Sequence, residues 1–286
     1  MIRRRFNGPV LALIAQITAT PAISLLAIHT AGAGTTSVAV QGAAFLIGAV
    51  ALWAASRMAR PSRGLKLTSA AAILVVAVVM LTMGVEMQGA HRWLALGPVL
   101  IHPASLLGAP LLWLVAQDAD DVWTAGVAAL AILTFGAGFD GAASLAFAVG
   151  ATGLLTAARG SWKTLAPLAA LSWILALWSL TRSQALPRVP YVEDVVPTVW
   201  AVAPVLGVAA VIALILLSAP LLWMGWRARG IGAAGLAMAG FWIGLSAASL
   251  LGAYPAPVVG YGASPVIGWL VAIGLAMATA RRTRFQ

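Results

Sequence analysis

The chain contains no cysteine, and only 8% of its 286 residues are charged. Without cysteine there can be no disulfide, no thiolate metal site and no cysteine nucleophile. Charge this scarce excludes an ordinary soluble domain, in which about a quarter of residues are charged. Acid is scarcer still, with seven Asp and Glu against seventeen Lys and Arg. What fills the remainder is apolar: 62% hydrophobic residues and a mean hydropathy of +0.99. The apolar runs are continuous and lack the alternation of barrel strands, so helices must satisfy the backbone in lipid. The expected fold is an all-α polytopic membrane protein, one domain over 1–286.

A span across about 30 Å of hydrocarbon needs about 20 apolar residues. Such runs predict helices at 9–30, 38–56, 67–85, 99–117, 122–138, 141–158, 163–181, 198–224, 231–253 and 264–280. The fifth and sixth meet at Gly136, Gly138, Asp140 and Gly141, which fit either a tight turn between two short spans or a break in a re-entrant pair. The start, MIRRRFNGPVLALIAQ, has the basic flank of a signal peptide. Its apolar run continues to about His29 without a small-residue cleavage site, so it is read as the first span.

Basic residues should favour cytoplasmic loops. With ten spans, one side holds Arg3, Arg4, Arg5, Arg57, Arg60, Arg63, Lys66, Arg159, Lys163, Arg227, Arg229, Arg281, Arg282 and Arg284, leaving Arg92, Arg182 and Arg188 for the other. Both termini are therefore expected in the cytoplasm. The net charge of +10 is explained by topology and calls for no nucleic-acid partner. The same assignment puts Glu86, Asp140, Glu193, Asp194, His29, His91 and His102 at the outer face. Loops solvate polar residues in any protein, so the grouping carries more weight than any member. Several of the twelve Trp lie at helix ends, as an interfacial belt would place them.

Two segments carry a resemblance. GAHRWLALG, with Gly89, Ala90, Arg92, Trp93, Leu94 and Gly97, precedes HPASLLG, which contains Pro103. Near the other end, YPAPVVGYGASPVIGWLVAIG places Pro257, Tyr261, Gly262 and Ser264 before the last helix. Together they resemble the signatures of the shape, elongation, division and sporulation (SEDS) family, the FtsW/RodA type of peptidoglycan polymerase. GFDGAASLAFA is similar to that family's turn between spans five and six through Asp140, and PRVPYVEDVVPTVW occupies the place of its outer loop before span eight. This chain departs from the family's Q-P-S-E-x-x-K pattern, with His102 for Gln, Ala104 for Ser, Ser105 for Glu and Gly108 for Lys, and has Ala263 in place of the second Gly of Tyr-Gly-Gly-Ser.

The resemblance implies a multi-pass protein of the bacterial cytoplasmic membrane, working in cell-wall biogenesis on a polyprenyl-pyrophosphate-linked sugar. It implies Asp194, or its neighbour Glu193, as the catalytic carboxylate. Arg92, Arg188 and Arg182 are the outer cations available to a pyrophosphate; Trp93, His102, Tyr261 and Ser264 complete the expected substrate contacts. The family further implies a divalent cation such as Mg, with Asp194, Glu193 and Glu86 as oxygen donors, and a single-span transpeptidase partner. Two other readings stay open: a non-catalytic scaffold that binds lipid or a partner, and a lipid or small-molecule transporter.

Overall fold

The computed structural model describes residues 8–87, 89–97, 99–182, 188–227, 232–251 and 254–282. Arg3, Arg4, Arg5, Arg229 and Arg284 lie outside them. Helices α1 (Gly8–Thr30), α2 (Thr35–Ser56) and α3 (Arg63–Met83) open the chain. Ser62 caps α3 by accepting from the Leu65 amide. Next come three short strands, β1 (Val85–Met87), β2 (Ala90–Leu96) and β3 (Val99–Ile101), antiparallel in the order β1-β2-β3.

These strands correct the expectation of a helix from residue 99. Pro103 sits in the first turn of α4 (Pro103–Ala116), where its missing amide costs nothing, and it disfavours helix in the residue before it. His102 is accordingly extended and serves as the N-cap.

Helices α5 (Val122–Ala137), α6 (Gly141–Ala157) and α7 (Trp162–Thr181) follow, the first two joined by a tight turn. The apolar run at 198–224 is not one helix but part of three: α8 (Val195–Val202), α9 (Pro204–Leu216) and α10 (Ala219–Arg227). Pro204 begins α9 and Pro220 lies in the first turn of α10; neither can continue the preceding hydrogen-bond ladder. The chain closes with α11 (Gly232–Leu251) and α12 (Ala263–Arg282). Among the described residues, seven segments are long and apolar enough to cross a membrane, and α4, α5 and α6 are shorter apolar helices.

Small residues let the helices approach closely. A Cβ at Gly150 or Gly153 of α6 would meet the α11 backbone, and one at Gly240 or Gly244 of α11 would meet α6. This is packing suited to lipid, where no hydrophobic force draws helices together and close van der Waals contact does so instead. Gly268 brings α12 onto α4 at Ser105 in the same way. The centre is aromatic: Phe147 stacks with Phe135 and meets Phe241 edge-on, and Trp113, Trp242 and Trp269 are buried.

Candidate functional site: a cavity at one end of the bundle

One end of the bundle holds the turn between α5 and α6, the β-strands, the start of α4, and the segments before α8 and α12. Here the sequence departs from regular helix for local reasons. Asp140 caps α6, its Oδ1 accepting from the Ala143 amide at 3.0 Å. Phe139 before it takes a positive φ of 56°, which turns its carbonyl toward the Arg92 side chain. The segment ahead of α12 contains Val258 at φ 66°, a left-handed conformation unfavourable for a β-branched residue. Two buried side chains hold it. Ser24 Oγ donates to the Val258 carbonyl at 2.8 Å, and Gln41 Nε2 donates to the Val258 and Gly260 carbonyls at 3.2 and 3.1 Å. Gln41 Oε1 accepts from the Gly262 amide at 3.0 Å, so one side chain grips the segment at three points.

The backbone then ties this segment to the one before α8. The Ala256 amide donates to the Val192 carbonyl at 3.1 Å and the Tyr261 amide to the Tyr191 carbonyl at 2.9 Å. The result is a cavity of about 250 Å³ lined by Arg92, Trp93, His102, Ser105, Asp140, Glu193, Tyr254, Tyr261 and Ser264, among others.

The polar groups in the cavity are mutually engaged. His102 Nε2 lies 2.8 Å from Asp140 Oδ2, and His102 Nδ1 accepts from the Ser105 amide at 3.1 Å. An accepting Nδ1 carries no hydrogen, so the ring N–H is at Nε2 and donates a hydrogen bond to Asp140 Oδ2. The His102 amide in turn donates to Ser264 Oγ at 2.9 Å, which joins α4 to α12. Burial pushes the Asp140 carboxyl up, but its interactions with His102, the charge of Arg92 and the Ala143 amide outweigh burial and hold it below the ordinary carboxylate range.

Arg92 is 4% exposed. Its Nη2 and Nε donate to the Phe139 carbonyl at 2.8 and 3.2 Å, and its guanidinium lies 5.4 Å from the Tyr254 ring and 5.9 Å from the Trp93 ring. The Phe139 carbonyl and two ring faces position this charge, which also acts on the Asp140 and Glu193 carboxyls across the cavity.

Glu193 is half-buried, with Oε2 accepting from the Val189 amide at 3.0 Å. Burial and the neighbouring Asp194 charge raise its carboxyl above the ordinary range, against the pull of backbone amides and Arg92. Asp194 is placed differently: it lines an adjoining groove of about 220 Å³, pairs with Arg188 at 3.2 Å, and does not line the cavity. Glu193 lines both.

Of the residues expected from sequence, Arg92, Trp93, His102, Tyr261, Ser264 and Glu193 converge in the cavity, while Arg188 and Asp194 occupy the groove. Glu86 lies in β1 outside the cavity lining, and Arg182 stacks on Trp178 and Phe139. Asp140 and Tyr254 belong to the site and were not among the expected site residues. Asp140 was visible as an outer-face acid at the turn between spans five and six; its pairing with His102 is a tertiary fact. Gly108 has no room for a side chain, because a Cβ there would run into the Phe241 ring.

No protein-family model matches the chain, and no curated protein matches it. Solved structures do. A crystal structure of the rod shape determining protein RodA of Thermus thermophilus, in an Asp-to-Ala mutant form, superposes with a TM-score of 0.71 at 20% identity, over 96% of this chain and 98% of that one. The chain has the RodA fold. A second structure of that protein gives a TM-score of 0.70 at 22% identity over 99% of both chains. A chain from a peptidoglycan synthase complex, described for its coordination of polymerization and crosslinking, gives 0.68 at 18% over 96% and 98%. The RodA fold agrees with the resemblance in GAHRWLALG and YPAPVVGYGAS, and confirms an all-α polytopic membrane protein.

Proposed function

We propose that this is a RodA-like protein of bacterial cell-wall biogenesis, in the cytoplasmic membrane, that transfers a sugar from a polyprenyl-pyrophosphate carrier at its outer face. The observation that carries this reading is the pair of adjoining depressions that share Glu193, one of them walled by a buried arginine. A polymerase needs places for a donor and an acceptor, and a base between them.

In this mechanism the pyrophosphate of the donor enters the cavity on the Arg92 side. The fixed, desolvated guanidinium is more strongly attractive there than it would be in water and favours the charge that grows on the leaving group. The acceptor sugar hydroxyl approaches along the groove. Glu193, with a raised carboxyl, takes its proton as the new bond to the anomeric carbon forms and the bond from that carbon to the pyrophosphate oxygen breaks. Asp194 contributes charge: it raises Glu193 and orients Arg188. His102 and Asp140 hold the start of α4 and the α6 cap, and so shape the opposite wall.

The family resemblance implies a divalent cation, for which Glu193 and Asp194 would be the carboxylate donors beside the phosphates of the substrate. Both Asp140 oxygens accept from Ala143 and His102, one Asp194 oxygen pairs with Arg188, and no group of three or more His, Asp or Glu that could hold a metal ion occurs among the described residues.

The second reading is a scaffold that binds the carrier lipid and a transpeptidase without catalysis. It is favoured by Phe241 filling the space beside Gly108, where the family has a lysine. Reconstitution with a fluorescent lipid-linked disaccharide separates the two. Glycan product that vanishes in Glu193→Gln supports transfer; saturable binding without product leaves the scaffold; flux into sealed vesicles without product makes the protein a transporter.

A further inference from the structure

At the end of the bundle away from the cavity, α2, α4 and α12 terminate together, and four guanidinium groups gather. Arg60 Nη2 donates to the Gln117 carbonyl at 3.0 Å, while Arg282 Nη1 donates to the Gln117 side-chain oxygen at 3.3 Å. Arg282 Nη2 also donates to the Met58 carbonyl at 2.7 Å, and Arg281 Nη1 to the Ser56 carbonyl at 3.3 Å. Arg57 lies 5.2 Å from the Trp53 ring.

The acids nearby are committed elsewhere. Lys66, 3% exposed, sits 3.0 Å from Asp118 and 3.4 Å from Asp121, and Arg63 lies 3.7 Å from Asp121. Among the described residues, no carboxylate lies within 4.0 Å of Arg57, Arg60, Arg281 or Arg282.

Two like charges are thus drawn to a single residue, Gln117, whose neutral oxygens fix their positions and leave their repulsion in place. An anion with several acceptor oxygens offsets that repulsion while accepting from more than one guanidinium. The surroundings decide where the anion comes from. Trp53, Met58 and Leu65 are 59%, 44% and 51% exposed at the ends of spanning helices, the level of the membrane–water interface. A phosphate at that depth belongs to a lipid. We propose that Arg60 and Arg282, flanked by Arg57 and Arg281, form a binding site for the phosphate of an anionic phospholipid headgroup. The site is separate from the cavity and stands or falls independently of the sugar-transfer reading.

The test uses the purified full chain in detergent, titrated with phosphatidylglycerol, with phosphatidylcholine and with inorganic phosphate, and bound lipid read by native mass spectrometry. Phosphatidylglycerol is expected to be retained in preference to phosphatidylcholine. At about fivefold per arginine near a membrane surface, Arg60→Gln lowers that preference about fivefold and Arg60→Gln/Arg282→Gln by at least tenfold. Arg159→Gln, at an exposed basic residue outside the cluster, leaves it unchanged. The single Arg60→Gln change is at an exposed side chain, so it reads the site even if the double variant does not fold. The proposal is overturned by equal retention of both lipids, by a preference that survives Arg60→Gln, by equal loss in Arg159→Gln, or by inorganic phosphate competing away the lipid at equal concentration.

Discussion

Replacing Gln41 by Leu should loosen the cavity. Gln41 is fully buried and makes four hydrogen bonds, to Ser24 Oγ and to Val258, Gly260 and Gly262 of the segment before α12. Ser24 continues to serve the Val258 carbonyl after the change. The Gly260 carbonyl and Gly262 amide lose this partner, and a buried orphan costs about 1–3 kcal/mol each. The expected loss is therefore about 2–6 kcal/mol, concentrated where Val258 already stores about 1–3 kcal/mol of backbone strain. Ser24→Ala removes only the hydroxyl while Gln41 still bonds Val258, so about 1 kcal/mol is expected. Gln41→Glu replaces the donor with a carboxylate facing two carbonyls and should be no better than Leu. Thermal unfolding of the detergent-solubilised variants gives the order. A Gln41→Leu protein as stable as the unaltered chain, or one less affected than Ser24→Ala, refutes the reasoning.

Further outcomes follow from the same geometry. Asp140→Asn should destabilise by about 1–3 kcal/mol in the same thermal assay, because one amide oxygen cannot accept from both Ala143 and His102 Nε2, and its NH₂ faces a donor. The pH–rate profile of sugar transfer should have an acid limb above the ordinary glutamate value of 4.5, because Glu193 must be ionised to act and its carboxyl is raised. Asp194→Asn removes a negative neighbour and should move that limb to lower pH; a limb that stays put or rises contradicts the role given to Asp194. Gly108→Ala should destabilise by about 1–3 kcal/mol through collision with Phe241, and Phe241→Leu should recover part of the loss, read as unfolding temperatures of the single and double variants.

Much of this architecture was legible because membrane spans are written in long apolar runs. Helices α1, α2, α7, α11 and α12 lie close to the predicted runs, and α5 and α6 resolve as two short helices about a tight turn. The strands at 85–101 were not legible. Two have three residues each, too short for alternation to show, and AHRWLAL reads equally well as a helix lead-in. Pro204 and Pro220 stand inside the run at 198–224, but only the packing shows that it breaks into three helices.

At the site, the two signature segments located Arg92, His102, Tyr261 and Ser264 from opposite ends of the chain. The pairings were invisible, since His102 with Asp140 and Gln41 with Gly260 join residues 38 and 219 positions apart. Adjacent carboxylates could not be told apart by sequence either. Glu193 lines both cavity and groove and Asp194 the groove alone, on a turn at 189–194 where the amides of Val192, Glu193 and Asp194 all donate to the Val189 carbonyl.

The central claim is that Glu193 takes the acceptor proton beside an Arg92-walled donor cavity. It is tested most directly by single-turnover transfer from a fluorescent lipid-linked disaccharide by reconstituted protein, comparing the unaltered chain with Glu193→Gln. The product rate should fall about 10²–10⁴-fold, as expected for loss of a general base, with donor binding nearly unchanged. Product formed by Glu193→Gln at the unaltered rate would contradict it.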